Sequence, residues 1–443
     1  MQNLKGFPYF EVEFNKEGQA HDQTQVKALT DFLAQGDTSD LFVISHGWNN
    51  DIAEARDLYT RFFDCMRQVL DSGAVSGVSS RKLAIMAVFW PSQKFAEEEL
   101  TAGGAASAGS PVTTNLLKQK LEEMKAVFDD PKADEALDKA KKLVSKLENS
   151  PKARREFADL LRSLLPQETS ADVDAAGDFF KLPGDELVKR LGKPLPVTLS
   201  KPATGGGAAM VGGGAAVTGG GAAGLGQLFG GIKWGVLNLL NFTTYYQMKE
   251  RAGLIGSTGV NQALRSIRAK RPKIKMHLIG HSFGGRLVTA AAAGPEDQPP
   301  IKIDTMTLLQ AAFSHFGFSE RYDGTHNGFF RRVVTGKTVS GPTLISCTQN
   351  DLAIGKLYPL ASLIAGQVAS AIGDKNDMYG GIGRNGAQKT PEASDGALLK
   401  LGSPYKFQPG KLHNLNSDKI IKSHSDICHN EIAYAVLNAV SMT

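Results

Sequence analysis

The sequence predicts an α/β protein: a mainly parallel sheet covered by helices on both faces, carrying a large insertion. Three observations predict it. Short apolar runs alternate with segments of helical period, which is the pattern of strands joined by crossover helices. One of those runs enters a glycine-flanked serine turn and leaves it as a small-residue helix. Between the second and third buried runs the pattern breaks for about 150 residues, from Lys94 to about Asn241.

The first segment, Phe7 to Phe14, alternates enough to be an edge strand, and Leu41 to Ser45 is a short buried strand that ends in His46-Gly47-Trp48. A helix from about Asp51 to Leu70 follows. Asp51 and Glu54 stand in capping-box spacing, and Leu58, Phe62, Met66 and Val69 form its apolar face. Leu83 to Trp90 is the next buried strand, closed by Pro91.

The insertion begins with charged helices, Asn115 to Phe128 and Ala133 to Leu147. It continues as a low-complexity tract, Thr204 to Gly231, in which Gly-Gly-Gly-Ala-Ala recurs at Gly205, Gly212 and Gly219. Glycine opposes helix formation in water by up to ~1 kcal/mol per residue, so an irregular or tightly packed tract is expected. The tract carries no charge and runs into Trp234, Leu237, Leu239, Leu240 and Phe242. These apolar groups suit a lid over an acyl site or a peripheral membrane contact. The α/β pattern then resumes with a helix near Ser257 to Ala269, strands at Thr305 to Ala311 and Thr343 to Thr348, and a closing helix from Glu431 to Val440. The expected division is therefore a core in two parts, residues 1–93 and 242–443, interrupted by residues 94–241.

The stretch Ile274 to Gly285 carries the chemistry. An apolar strand runs into Gly280-His281-Ser282-Phe283-Gly284, a G-x-S-x-G turn, and then into a small-residue helix. In such a turn the serine sits at the tip between strand and helix, and the flanking glycines let the helix pass close to the strand. Ser282 is the candidate nucleophile, and the N–H of Phe283, at a helix N-terminus, is a candidate oxyanion donor. A serine nucleophile needs a base, and a carboxylate that fixes the tautomer of that base. The acid should lie past the C-terminal end of a later strand, which selects Asp351; Asp304 precedes its strand and sits at the wrong edge. The base should lie in a loop before the last helix, which selects His424. His429 is the rival, expected at the start of the closing helix, and His413 is expected in a loop further upstream. A second oxyanion donor is expected from the loop after an early strand, where Gly47 allows the N–H of Trp48 to face the site; the His46 side chain is expected to be structural. Arg384 and Asn385, among the glycines of Asp377 to Gln388, are candidate ligand contacts, with a turn-rich surface loop as the alternative.

The formal charge is +5, from 50 basic and 45 acidic residues, which is too small for its length to imply nucleic-acid binding. The basic run Arg268, Lys270, Arg271, Lys273 and Lys275 reads as the complement of a helix C-terminus on a solvated surface. Cys65, Cys347 and Cys428 show neither metal-type spacing nor a disulfide framework, so a reducing compartment fits. The first residues lack a charged-then-apolar signal pattern. Location is expected to be cytoplasmic, with export by a specialised machine still compatible.

Seven segments carry a family resemblance: VISHGWNN (Val43 to Asn50), VFWPSQ (Val88 to Gln93), YYQMKERAG (Tyr245 to Gly253), HLIGHSFGGRL (His277 to Leu287), Gly341 to Ser362, DMYGGIGRNGAQ (Asp377 to Gln388) and SHSDICHNEIAYAV (Ser423 to Val436). Together they resemble a bacterial branch of the α/β-hydrolase superfamily, over the first 93 residues and from about residue 242 onward. The resemblance implies a serine hydrolase with the triad Ser282, Asp351 and His424. The reaction needs no metal or organic cofactor, and its expected substrate is a carboxylic ester of a small molecule or a lipid. Thioesters and amides are open to the same apparatus. A different reading makes the insertion a membrane-acting or protein-binding module on a hydrolase scaffold.

Overall fold

The computed structural model describes residues 2–48, 50–92, 112–166, 176–193, 231–351, 353, 354, 364, 375 and 377–443. The Gly205 to Gly231 repeat, apart from Gly231 itself, lies outside them, and with it the expectation of an irregular or tightly packed tract. The chain divides into two compact units, one formed by residues 1–94, 248–354 and 381–443 and the other by residues 95–247 and 355–380. The second unit thus takes residues 355–380 in addition to the insertion expected from sequence. Helix Ile232–Ile255 has residues in both.

The first unit is built on a sheet whose described strands are nine: β1 (Gln2–Leu4), β2 (Phe7–Glu13), β3 (Asp40–Ser45), β4 (Leu83–Phe89), β5 (Lys275–His281), β6 (Thr305–Leu309), β7 (Thr343–Cys347), β8 (Ala393–Ala397) and β9 (Leu412–Asn416). Their order is β1-β2-β4-β3-β5-β6-β7-β9-β8. Only β1 is antiparallel to its neighbour; the other pairs are parallel. Phe7–Glu13 is therefore not the edge strand that its alternation implied, because β1 pairs outside it. Three residues of mixed polarity give no periodicity to read, and β8 and β9 escaped for a similar reason: Ala393–Ala397 is polar and mostly exposed, and Leu412–Asn416 carries His413 and two asparagines.

Strands β3, β4, β6 and β7 are buried throughout, as a sheet covered on both faces requires. On one face, Phe42, Ile44, Ile85, Ala87, Ile279, Leu309 and Leu344 join a single apolar cluster with helices Ile52–Asp71 and Asn430–Ser441. Alternation sends Leu41, Val43, Leu278 and Leu308 the other way, also out of water, and helix Phe283–Ala293 packs against β3 and β5. Each such side chain contributes roughly 1.5–3 kcal/mol relative to exposure. Helix Ile52–Asp71 starts at the expected capping box: Asp51 Oδ1 accepts from Glu54 N at 2.9 Å, and Glu54 Oε2 from Asp51 N at 3.0 Å.

In the second unit the described helices include Thr114–Phe128, Pro131–Leu143, Pro151–Arg162, Ala176–Lys181 and Gly184–Leu191. Leu237, Leu239, Leu240 and Phe242 are buried and Trp234 is half-buried. Phe242 packs on Phe179, ring centroids 5.0 Å apart. Among the described residues no helix is long and apolar enough to cross a membrane.

Candidate active site

Parallel strands end on a common edge, and the turns that follow β3, β5, β7 and β9 there bring together residues far apart in sequence. Ser282, the residue after β5, has φ 56° and ψ −125°, a conformation sparsely populated by any residue with a side chain. Such a backbone costs about 1–3 kcal/mol and persists only where its surroundings enforce it. Enforcement is visible on both sides of the turn. A Cβ on Gly280 would stand 2.3 Å from Gly284 O, and one on Gly284 2.2 Å from Ser45 O. The serine N–H donates to Leu309 O and its carbonyl accepts from Gly285 N and Ala312 N. Helix Phe283–Ala293 then starts immediately, with Ser282 as its N-cap.

Ser282 Oγ lies 2.9 Å from His424 Nε2, and His424 Nδ1 lies 2.8 Å from Asp351 Oδ2. A carboxylate only accepts, so Nδ1 carries the imidazole proton and Nε2 is left to accept from the serine hydroxyl. Asp351 is fully buried, and its other oxygen accepts from Ile354 N at 2.9 Å. The histidine side chain keeps 17 % exposure, the most open of this pair.

The rival histidines are engaged elsewhere. His429 is the N-cap residue of the closing helix, and its Nε2 pairs with Asp426 at 2.7 Å. His413 lies within β9, not in a loop, between Ser394 and Gln408. His46 is buried and stacked on Trp90, its Nδ1 2.9 Å from Gly47 O, and burial pushes its imidazole down to about 4. Asp304 accepts from Met276 N at the opposite end of the strands.

Both expected oxyanion residues border the serine. Phe283 is the first residue of the helix, and its ring lies 6.0 Å from that of Trp48. Gly47 fits against the serine itself: a Cβ there would stand 2.5 Å from Ser282 Cβ and 3.1 Å from its Oγ. Arg384 and Asn385 are turned into the protein. Arg384 Nη1 donates to Gln349 O at 2.6 Å and to Asp351 O at 3.2 Å, and burial lowers its guanidinium pKa against the pull of Asp351 and Asp418. Asn385 is buried with its side-chain amide 3.1 Å from His315 Nδ1.

Two residues of this neighbourhood were not singled out from sequence. Asp418 Oδ1 accepts from Thr348 Oγ1 and Gln349 N, while Asn350 Nδ2 donates to Asp418 O and Ile421 O. Those bonds join the loop that holds Asp351 to the loop that holds His424. His281 Nε2 lies 2.9 Å from His424 O. His281 fills an unspecified position of the G-x-S-x-G turn and Asp418 belongs to no motif; their signal is position, one beside the nucleophile and the other just past a strand too polar to recognise. Among the described residues no group of three or more His, Cys, Asp or Glu side chains is arranged to hold a metal ion.

The arrangement is capable of deprotonating a hydroxyl and holding the resulting imidazolium beside a buried carboxylate. No family model matches this chain, and no curated protein or solved structure matches it.

Proposed function

We propose that this chain is a serine hydrolase of the α/β-hydrolase type, acting on a carboxylic ester through an acyl-enzyme on Ser282. In this reading Ser282 Oγ attacks the carbonyl carbon as its proton passes to His424 Nε2, and Asp351 stabilises the imidazolium without itself taking the proton. The N–H groups of Phe283 and Trp48 receive the negative charge that develops on the carbonyl oxygen, aided by the N-terminal end of helix Phe283–Ala293. The imidazolium then protonates the leaving alkoxide. Water, deprotonated by the same histidine, releases the acid and restores the serine.

The observation that carries the reading is the unbroken chain from Ser282 Oγ through His424 to buried Asp351, at 2.9 and 2.8 Å, starting from a serine held at φ 56°. A structural hydrogen-bond network needs no strained serine, whereas a nucleophile placed at a strand-to-helix elbow has a use for one: the strain holds Oγ clear of its own helix and leaves the helix N-terminus free for an oxyanion. The acyl-transfer chemistry extends equally to thioesters and amides; an ester of a small molecule or a lipid is the leading class.

The test is labelling with a fluorophosphonate probe followed by peptide mapping, beside turnover of p-nitrophenyl acetate. Label on Ser282, with both label and turnover lost in Ser282→Ala, is the expected result. An unlabelled but folded wild-type protein would leave this core as a scaffold and overturn the reading.

A further inference from the structure

His424 stands on a loop between β9 and the closing helix, and loops hold a ring less firmly than strands or helices do. Its flanks are tied to neighbouring turns: Asn350 Nδ2 reaches Asp418 O and Ile421 O ahead of it, and Lys422 N and His429 Nε2 bond the two oxygens of Asp426 around it. At His424 itself the carbonyl lies 2.9 Å from His281 Nε2. His281 is the last residue of β5, immediately before the serine, and is itself buried.

We propose that His281 is a positioning residue for the base: a neutral imidazole whose Nε2–H grips the His424 carbonyl and fixes that ring over Ser282 Oγ. The proposal rests on the reading of Ser282 as nucleophile. The grip originates one residue from the nucleophile, at the end of the central strand of the sheet, so serine and base share one frame. A displacement of about 1 Å at a reacting group can cost about a hundredfold in rate. An imidazole also suits the place electrically. The two rings are 4.9 Å apart, and a cation at His281 would oppose the imidazolium that forms on His424 at each turnover. Burial, with the His424 charge adding to it, pushes the His281 imidazole down to about 3, so it stays neutral over the working range.

The experiment compares wild type, His281→Leu, His281→Gln and Ser282→Ala in p-nitrophenyl acetate turnover, thermal melting and histidine 15N spectra. Glutamine keeps an N–H donor at similar reach, and leucine keeps volume without one. His281→Leu should lower kcat about 10–100-fold with KM changed less than about twofold, and His281→Gln should recover most of that loss. The spectra should show His281 in its Nε2–H form from pH 7 to 5, in Ser282→Ala as in wild type. Equal kcat in all three active-site-intact proteins would overturn the proposal, as would kcat losses of the same size in the leucine and glutamine variants that follow a common fall in Tm. Wild-type turnover by Ser282→Ala would instead overturn the nucleophile reading, and the proposal with it.

Discussion

The helical unit and the surroundings of Ser282 in the sheet unit both bury polar side chains, but they use them differently. In the helical unit the buried groups point at main-chain carbonyls. Arg154 donates to Leu147 O and Glu148 O, Arg162 to Phe179 O and Leu182 O, Asn238 to Leu191 O, and Thr243 and Thr244 to Leu239 O and Leu240 O. The arginine and asparagine bonds satisfy carbonyls at helix ends and turns, and the threonine hydroxyls bond back to carbonyls one turn earlier in their own helix. In the sheet unit, around Ser282, side chains bond other side chains in a directed order, from a hydroxyl to an imidazole to a carboxylate. A second hydroxyl–imidazole–carboxylate set, Thr305–His277–Asp40, lies buried inside the sheet and ties three strands together. What sets the Ser282 relay apart is that it starts from a serine held at φ 56° at a strand end.

The largest effect that tests the contrast is at the relay itself. His424→Ala should reduce ester turnover about as much as Ser282→Ala, by roughly 10⁴-fold or more, because the two act as a unit. His429→Ala, which breaks only the pair with Asp426, should stay within a few-fold of wild type; the reverse ranking in a steady-state assay would place the base elsewhere. A smaller loss is expected at the serine's neighbour. Gly47→Ala puts a methyl group 2.5 Å from Ser282 Cβ. Displacing the Trp48 N–H or the serine should cost roughly 10²–10³-fold in kcat. Near-wild-type kcat in that variant would show that the loop after β3 plays no part in the chemistry.

On the other side of the comparison, Arg162→Ala should affect stability and leave chemistry alone. It strands the Phe179 and Leu182 carbonyls and removes a cation 5.7 Å from the Phe179 ring, a loss of about 2–4 kcal/mol. Urea unfolding should register it while probe labelling of Ser282 in native buffer stays within about twofold. A parallel loss of labelling would erase the distinction between the two kinds of buried polarity.

A further effect is graded by pH. His46 and His281 are held down to about 4 and about 3 by burial, against about 6.5 in an unfolded chain. Above pH 6.5 neither state binds the protons. As pH falls below it, the unfolded chain takes up protons that the folded chain refuses, so stability drops toward the folded values, by up to about 1.4 kcal/mol per pH unit for each histidine. The urea midpoint should therefore fall between pH 7 and pH 5, and a midpoint flat over that interval would contradict two buried neutral imidazoles.

The readable parts of the sequence were those in which local physics and global fold agree. Leu41–Ser45, Leu83–Phe89, Thr305–Leu309 and Thr343–Cys347 announce themselves because a strand covered on both faces must be apolar along its whole length. Gly280 and Gly284 announce the turn because no side chain fits at either place. The order serine, aspartate, histidine is the one the α/β-hydrolase resemblance implies, and together with the strand ends legible in the sequence it points to Asp351 and His424. What sequence could not supply was whatever depends on a partner distant along the chain. Nothing local distinguishes Asp418 from other loop aspartates, or His281 from a spacer in the motif, until β9 is laid beside β7 and the loop after β9 is folded back over β5. Arg384 looked free to approach a ligand because its neighbours are glycines; the tertiary structure turned it inward, to the carbonyls of Gln349 and Asp351. A residue's type and its local period are fixed by the sequence, but the partner that gives a buried polar atom its role is chosen only when distant strands come together and water is excluded between them.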